Sequence, residues 1–358
     1  ISKQSTTDMN YSAVNFVMQQ VIITRHGGPE VLHVRETAEP QLKSGDVLID
    51  VQFSGINFAD LLMRMGLYPS APKPPFTPGY EVSGVIAKVG STENDELLGK
   101  SVAALTKFGG YSSKVVVKKD RLIALPDGID MAPAAAMPVV YLTSYVMLSL
   151  QAHLQKDEWV LIHNIGGGVG LAATELSRMI GANIIGTASV GKHDRLREKG
   201  IHHLIDYNTE DFVARVKEIT EGKGVDVIID PIGGEPLKKS YKALGAFGRL
   251  VAFGFSKAVS GPRRKVLHLF KEYIKTPKFS PIKLMGHNKG VFGCHLGMLM
   301  DRQELLQECM QKLMSYFQSG DINPHVDRVF PLNRVKDAHQ YIMDRRNFGK
   351  VLLAADEQ

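Results

Sequence analysis

The stretch Trp159-Val-Leu-Ile-His-Asn-Ile-Gly-Gly-Gly-Val-Gly170 constrains the fold more than any other part of the chain. An almost continuous apolar strand, Trp159–Ile165, runs into consecutive glycines, and the helical pattern Leu171–Ile180 follows at once. A strand of that kind is buried on both faces, so helices must cover both sides of its sheet. The chain beyond it agrees. Strands at Asn183–Ala188, Leu204–Ile205, Val225–Ile229 and Gly248–Phe253 alternate with helices at Lys192–Lys199, Asp211–Ile219 and Lys238–Leu244. This rhythm predicts an α/β doubly wound parallel sheet of the Rossmann type. Glycines at its first turn let backbone approach a pyrophosphate, whose charge the helix N-terminus stabilises. The strict G-x-G-x-x-G spacing is not met, because Ile165 stands where the first glycine would be. A merely structural turn is the competing reading; the order strand, glycines, helix, βαβ unit favours a dinucleotide site.

The first part of the chain has another rhythm. Short strands at Val17–Thr24, Val31–Arg35, Asp46–Gly55, Glu81–Val89, Ser101–Leu105 and Tyr111–Val117 are separated by turn residues, with a Gly/Pro-rich coil at 66–79. They predict a small barrel-like β domain ending near Pro138. A helix at 303–319, the run Asp327–Pro331 and a helix at Val335–Met343 precede a last strand, Lys350–Ala354, which can return to the first domain. At 358 residues the chain exceeds the size at which one core keeps growing, so two domains are expected. The opening stretch Ile1–Asn10 reads as a polar tail without the charged-then-apolar order of a signal peptide. No run of eighteen apolar residues occurs, so no membrane span is expected. Two cysteines, Cys294 and Cys309, read as core thiols in a reducing, cytoplasmic setting rather than as a bridge.

Charge is local. Between Ser256 and Lys289 lie nine Lys or Arg against one acid, Glu272, more than the net +6 of the whole chain. A global nucleic-acid binder is therefore excluded, and a basic patch is expected. Apolar residues at Val266–Phe270, with Tyr273 and Ile274, are spaced for a helical face. Three readings stay open: an insertion packed on the sheet, a lid over the cleft, or a weak contact with an anionic membrane.

The end of the second sheet strand discriminates between dinucleotides. An NAD site places Asp or Glu there. Here Gly186-Thr-Ala-Ser189 ends the strand and Lys192 follows, so Ser189 can donate to a 2′-phosphate and Lys192 can neutralise it. NADP(H) is the cofactor expected, with Lys192 as plain surface charge the alternative. Zinc ligation in the usual form cannot be assembled: no Cys precedes residue 294, no C-x₂-C occurs, and His202–His203 read as surface or packing histidines. A carbonyl must then be polarised by hydrogen-bond donors. Asn57, after a strand end, and Tyr68, after Gly66-Leu67, are the candidates, against a turn-forming Asn and a packing Tyr. Asp60 and Arg64 are spaced for an i,i+4 ion pair of structural role.

Together, Asn57-Phe-Ala-Asp60, Arg64, Gly66-Leu-Tyr68, Pro78-Gly-Tyr-Glu-Val-Ser-Gly84, Gly167-Gly-Val-Gly170, Gly186-Thr-Ala-Ser189, Lys192 and Gly349-Lys-Val-Leu352 resemble the quinone oxidoreductase branch of the medium-chain dehydrogenase/reductase superfamily. Within it, Leu161-Ile-His163, Lys192-His193 and Gly320-Asp-Ile-Asn-Pro-His-Val-Asp327 look most like the homologues of the synaptic vesicle membrane protein associated with amine transport. The resemblance implies a tail at 1–16, a GroES-like catalytic domain at 17–138 completed by 325–358, and a Rossmann domain at 139–324 carrying the basic insertion 256–289. It also implies a homodimer, for which Gly248–Phe253 and Gly290–Met300 could offer sheet edges. The implied activity is NADPH-dependent reduction of quinones or activated enones. Asn57 and Tyr68 would line the substrate side, and Thr143 the nicotinamide. Gly167, Gly168, Val169 and Gly170 would meet the pyrophosphate, Ser189, Lys192 and Tyr207 the adenosine phosphate, and Lys350 would join the cofactor group. Gly79-Tyr80-Glu81 stands where the zinc enzymes have Gly-His-Glu, which removes a ligand. Leu62 stands where several quinone reductases have Tyr, which leaves an NADP-binding interaction or membrane-surface protein with little turnover as the alternative.

Overall fold

The structure, a computed structural model, describes residues 17–259 and 266–355. The tail 1–16 and the basic triplet Arg263, Arg264 and Lys265 lie outside the described residues.

From the start, β1 (Val17–Ile23), β2 (Leu32–Ala38), β3 (Asp46–Ile56), β4 (Glu81–Val89), β5 (Ser101–Leu105), β6 (Lys114–Lys118) and β7 (Leu122–Ala124) follow one another, interrupted by the short helix α1 (Phe58–Arg64). Helices α2 (Met131–Ala136) and α3 (Pro138–Tyr145) lead into the alternating part. That part comprises β8 (Trp159–His163), α4 (Gly168–Ile180), β9 (Asn183–Ala188), α5 (His193–Glu198), β10 (His203–Asp206), α6 (Phe212–Ile219), β11 (Val225–Asp230), α7 (Gly234–Ala243) and β12 (Leu244–Ala252). After it come α8 (Val266–Lys275), α9 (Pro281–His287), β13 (Gly290–Gly293), α10 (Leu296–Leu299), α11 (Gln303–Ser319), β14 (Val326–Pro331), α12 (Val335–Met343) and β15 (Lys350–Ala354).

The six-stranded sheet has the order β10-β9-β8-β11-β12-β13, all parallel, and the order reverses beside β8. The chain thus combines a GroES-like domain with a Rossmann-type sheet. In open sheets of this kind ligands bind beyond the strand C-termini at the reversal, which is where the glycine turn lies. The central strands β8 and β11 are buried along most of their length, because α3, α4 and α11 pack one face and α6 and α7 the other. The seven-stranded sheet has the order β14-β15-β3-β4-β5-β7 with β6 on β3. The late strand β15 pairs antiparallel with β3, Val351 opposite Ile56 and Ala354 opposite Phe53.

Four expectations need correction. The helix expected at Lys238–Leu244 forms with other bounds: α7 begins at Gly234, and Leu244 already belongs to β12. The strand expected from Tyr111 starts at Lys114, because Tyr111 is drawn into the core, where its hydroxyl bonds Asp60. Gly248–Phe253 offers no edge, since β12 is paired on both sides; among the described residues β13 is the outer strand. The Asp60–Arg64 ion pair is also absent, for reasons given below. The basic segment is partly packed: Phe279 and Leu284 lie against the sheet core, while Tyr273, Ile274, Ile282 and Met285 are exposed.

Candidate active site

The glycine turn is built by sterics. Asn164 takes the left-handed conformation (φ 53°), which Asn tolerates, and its carbonyl accepts from Gly167 N at 2.9 Å. A Cβ on Gly170 would sit 2.5 Å from both the Asn164 and Ile165 carbonyl oxygens, so only glycine fits. Ile165 can replace the first glycine of the usual motif because its side chain turns inward and is received by Gly186 on β9, where a Cβ would lie 2.5 Å from Ile165 Cδ1. Gly167 precedes α4 without any side-chain cap. The first-turn N–H groups of Gly168, Val169 and Gly170 therefore have no intrahelical partner. Thr143 is spent locally, donating to Val139 O at 2.6 Å, whereas Ser144 donates to Val169 O at 3.2 Å and so ties α3 to the turn.

Ser189 and Tyr207 follow neighbouring strand ends, since Ala188 of β9 pairs with Asp206 of β10. Ser189 O accepts from Lys192 N at 2.9 Å, which places the lysine on the same rim. The Lys192 ammonium reaches the Asn347 carbonyl at 2.6 Å, and burial holds its pKa below the ordinary lysine value. Lys192 also lies against the turn, its Cδ 3.0 Å from where a Cβ on Gly166 would be.

In the other domain Asn57 is buried at the start of α1. Its Nδ2 donates to Glu81 Oε1 at 2.8 Å, and its Oδ1 accepts from Lys350 Nζ at 2.6 Å. Lys350 and Glu81, both buried, are themselves ion-paired, and the second Glu81 oxygen accepts from Val139 N at 2.7 Å. Tyr68 belongs to a second group. The Tyr80 hydroxyl donates to the Tyr68 hydroxyl at 3.2 Å, and the His295 ring lies 5.0 Å from that of Tyr68. Burial, and next to it the nearby Asp60 charge, push the Tyr68 phenol upward, so it stays protonated at neutral pH.

Asp60 links the two groups. Its carboxyl accepts from Asn57 N at 2.8 Å, Gly79 N at 3.3 Å and Tyr111 Oη at 3.0 Å, and burial pushes it up to about 6. Arg64 points elsewhere, to His339 Nδ1 at 3.3 Å and Met343 Sδ at 3.1 Å. The helical spacing held, but each side chain found a tertiary partner first. A carboxyl raised in the folded state stabilises the fold fully below its unfolded value, and that stabilisation is lost as pH rises through about 6. That stabilisation is roughly 3 kcal/mol. Asp60→Asn should therefore gain on the parent in Tm by several degrees between pH 4 and pH 7.5; a gap that does not change with pH would refute the assignment.

Known proteins share the domain families and the fold. Residues 43–127 match the alcohol dehydrogenase GroES-like domain family, and residues 199–353 match the family described as zinc-binding dehydrogenase. Over 343 residues, 95% of this chain and 71% of the relative, the sequence is 36% identical to the synaptic vesicle membrane protein VAT-1 homolog of Danio rerio. The chain belongs to the VAT-1/quinone-oxidoreductase branch of the medium-chain dehydrogenase/reductase superfamily. The fold superposes on Escherichia coli quinone oxidoreductase complexed with NADPH with a TM-score of 0.82 and 31% identity, over 94% of this chain and 99% of that one. It matches the CurK enoyl reductase with the same TM-score, 0.82, at 26% identity and the same coverage, 94% and 99%. Although one family description mentions zinc, no group of three or more His, Cys, Asp or Glu among the described residues could hold a metal ion.

Sequence reasoning missed Glu81, Tyr80 and His295 as members of the site. Glu81 had a signal, a carboxylate opening the mostly apolar strand β4. His295 had none, because only the return of the chain after β13 brings it to Tyr68.

Proposed function

We propose that the chain is a zinc-independent, NADPH-dependent oxidoreductase that reduces quinones or activated enones. One observation carries this reading: the dipeptide Gly349-Lys350 joins the glycine turn to the buried carboxamide. Gly349 N donates to Gly166 O at 2.9 Å, and Lys350 Nζ then holds Asn57 at 2.6 Å. Nucleotide and carbonyl would thus meet across one short link. The uncapped start of α4 would take the pyrophosphate on Gly167, Gly168, Val169 and Gly170. Ser189, Lys192 and Tyr207 would surround the adenosine phosphate, with Thr143 near the nicotinamide. When bound, the dinucleotide supplies a hydride from nicotinamide C4 to a quinone or to the β-carbon of an enone. Asn57 donates an N–H to the oxygen that gains charge, and Tyr68 or water gives that oxygen its proton.

NADPH should bind at least tenfold tighter than NADH, which corresponds to about 1.4 kcal/mol. Lys192→Ala should remove most of that preference, read from nicotinamide fluorescence on titration. Equal affinities of the parent for both cofactors would end the NADP assignment. A turnover screen over quinones and enones, run beside those titrations, separates a reductase from a protein that only binds the nucleotide.

A second reading, contact with an anionic membrane surface, is favoured by α8 and α9. They expose Tyr273, Ile274, Ile282 and Met285 beside the exposed Lys271, Lys275, Lys278 and Lys283. Charge attraction and shallow apolar insertion reinforce each other on such a face. Among the described residues no helix is long and apolar enough to cross a membrane. Salt-sensitive co-sedimentation with anionic vesicles, lost on neutralising Arg263, Arg264 and Lys265, is the expected result. No binding at low ionic strength would rule the contact out.

A further inference from the structure

We infer that Lys350 and Glu81 are positioning residues that lock the Asn57 carboxamide so that it presents an N–H to the substrate oxygen. The inference rests on the reductase reading above and deepens it. An amide can rotate by half a turn about its last side-chain bond at little cost, exchanging acceptor for donor. Two buried neighbours of opposite kind forbid that here. A lysine ammonium can only donate, so the Asn57 atom at 2.6 Å from Lys350 Nζ must be Oδ1. An ionised carboxylate can only accept, so the atom at 2.8 Å from Glu81 Oε1 must be Nδ2. Flipping the amide would set N–H against ammonium and C=O against carboxylate in a region where all three side chains are under a tenth exposed. At low dielectric such contacts are strongly repulsive.

The lock uses one of the two Nδ2 hydrogens. The second has no partner among the described residues, and it is the one left for a substrate oxygen. The surroundings are built for the lock. Glu81 is fixed from behind by Val139 N at 2.7 Å, and Gly55 leaves its carboxylate room, since a Cβ there would lie 2.4 Å from Oε1. Lys350 is held in register by β15 on β3 and by its own N–H on His325 O at 2.9 Å. Its side-chain stem passes beside Gly168 of the nucleotide turn, Cδ lying 3.9 Å from the position of an added Cβ. An ammonium on the carboxamide oxygen also polarises the amide and strengthens its remaining N–H as a donor.

The test is the double variant Lys350→Met/Glu81→Gln. It removes both charges together, because Lys350→Met alone would leave a buried, unpaired carboxylate and could fail to fold. The first readout is the side-chain amide of Asn57 in ¹⁵N–¹H correlation spectra, assigned by its loss in Asn57→Ala. In the parent the two amide protons should be well separated and slow to exchange with solvent. In the double variant they should move toward ordinary amide positions and exchange at least tenfold faster. The second readout is turnover with NADPH and the best acceptor of the screen. There kcat, read at saturating NADPH, should fall about 10-fold or more. Unchanged amide signals in the double variant, or unchanged kcat in a parent that turns over, would overturn the inference. A locked amide released by the variant in a parent without turnover would support the lock and refute the reductase reading instead.

Discussion

Gly170→Ala should weaken NADPH binding by about 100-fold or more and lower Tm by several degrees. The added Cβ would stand 2.5 Å from two main-chain carbonyl oxygens and 2.6 Å from a carbonyl carbon, none of which can swing aside as a side-chain tip could. Relief requires moving either α4 away from β8 or the Asn164–Ile165 peptide out of the turn. Overpacking of this kind costs about 1–3 kcal/mol, and more where only backbone can yield. At 1.4 kcal/mol per tenfold, a displacement worth about 3 kcal/mol accounts for the loss of affinity. The first-turn N–H groups would no longer converge on one anion, so the phosphate contacts would be lost together. A cofactor titration within threefold of the parent, in a variant that is folded by circular dichroism, would show that the pyrophosphate does not sit on this turn.

Asn57→Ala should lower kcat for quinone or enone reduction roughly 100-fold while leaving cofactor affinity nearly unchanged. Deleting one donor aimed at a developing oxyanion costs about 2.7–4 kcal/mol where it has been measured. Here the donor is buried and its partners Glu81 and Lys350 remain behind, so the ion pair between them should keep the pocket folded. Steady-state kinetics with saturating NADPH reads the effect, and the split matters. A rise in KM alone would mean that Asn57 only binds the ground state. A variant as fast as the parent over the whole acceptor panel would remove Asn57 from the chemistry.

The parts of this molecule that could be read in sequence are those decided by neighbours along the chain. The apolar run at β8, the glycines after it and the alternation that follows specify a parallel sheet because each strand needs helices on both faces. The serine at the end of β9 and the lysine beyond it are likewise local. What could not be read was decided across hundreds of residues. Asp60 and Arg64 have the spacing of an ion pair, yet Asp60 is taken by Tyr111 and Gly79, and Arg64 by His339. His163 looked like one more strand residue. In the fold it bonds Thr187 at 3.0 Å and Ser240 at 3.1 Å, and Ser240 in turn donates to Asp230 at 2.7 Å. That buried polar chain crosses three strands and a helix, and no window of sequence contains it. Ile165 is the instructive middle case. It breaks the glycine spacing, and the reason, a hollow at Gly186, lies on the next strand.

The pairing of β15 with β3 sets an order on the birth of the protein. Asn57 and the lysine that holds it are 293 residues apart in the chain. At translation rates of roughly 5–20 residues per second, tens of seconds pass between the two leaving the ribosome. Throughout that interval the Phe53–Ile56 end of β3 lacks the strand that covers it, and Glu81 lacks the cation that neutralises it. An unpaired strand edge beside a buried charge is a standing invitation to wrong partners. The domain that emerges first is therefore the one completed last. A nascent chain of this protein needs shelter longest around Asn57, the site proposed for its chemistry.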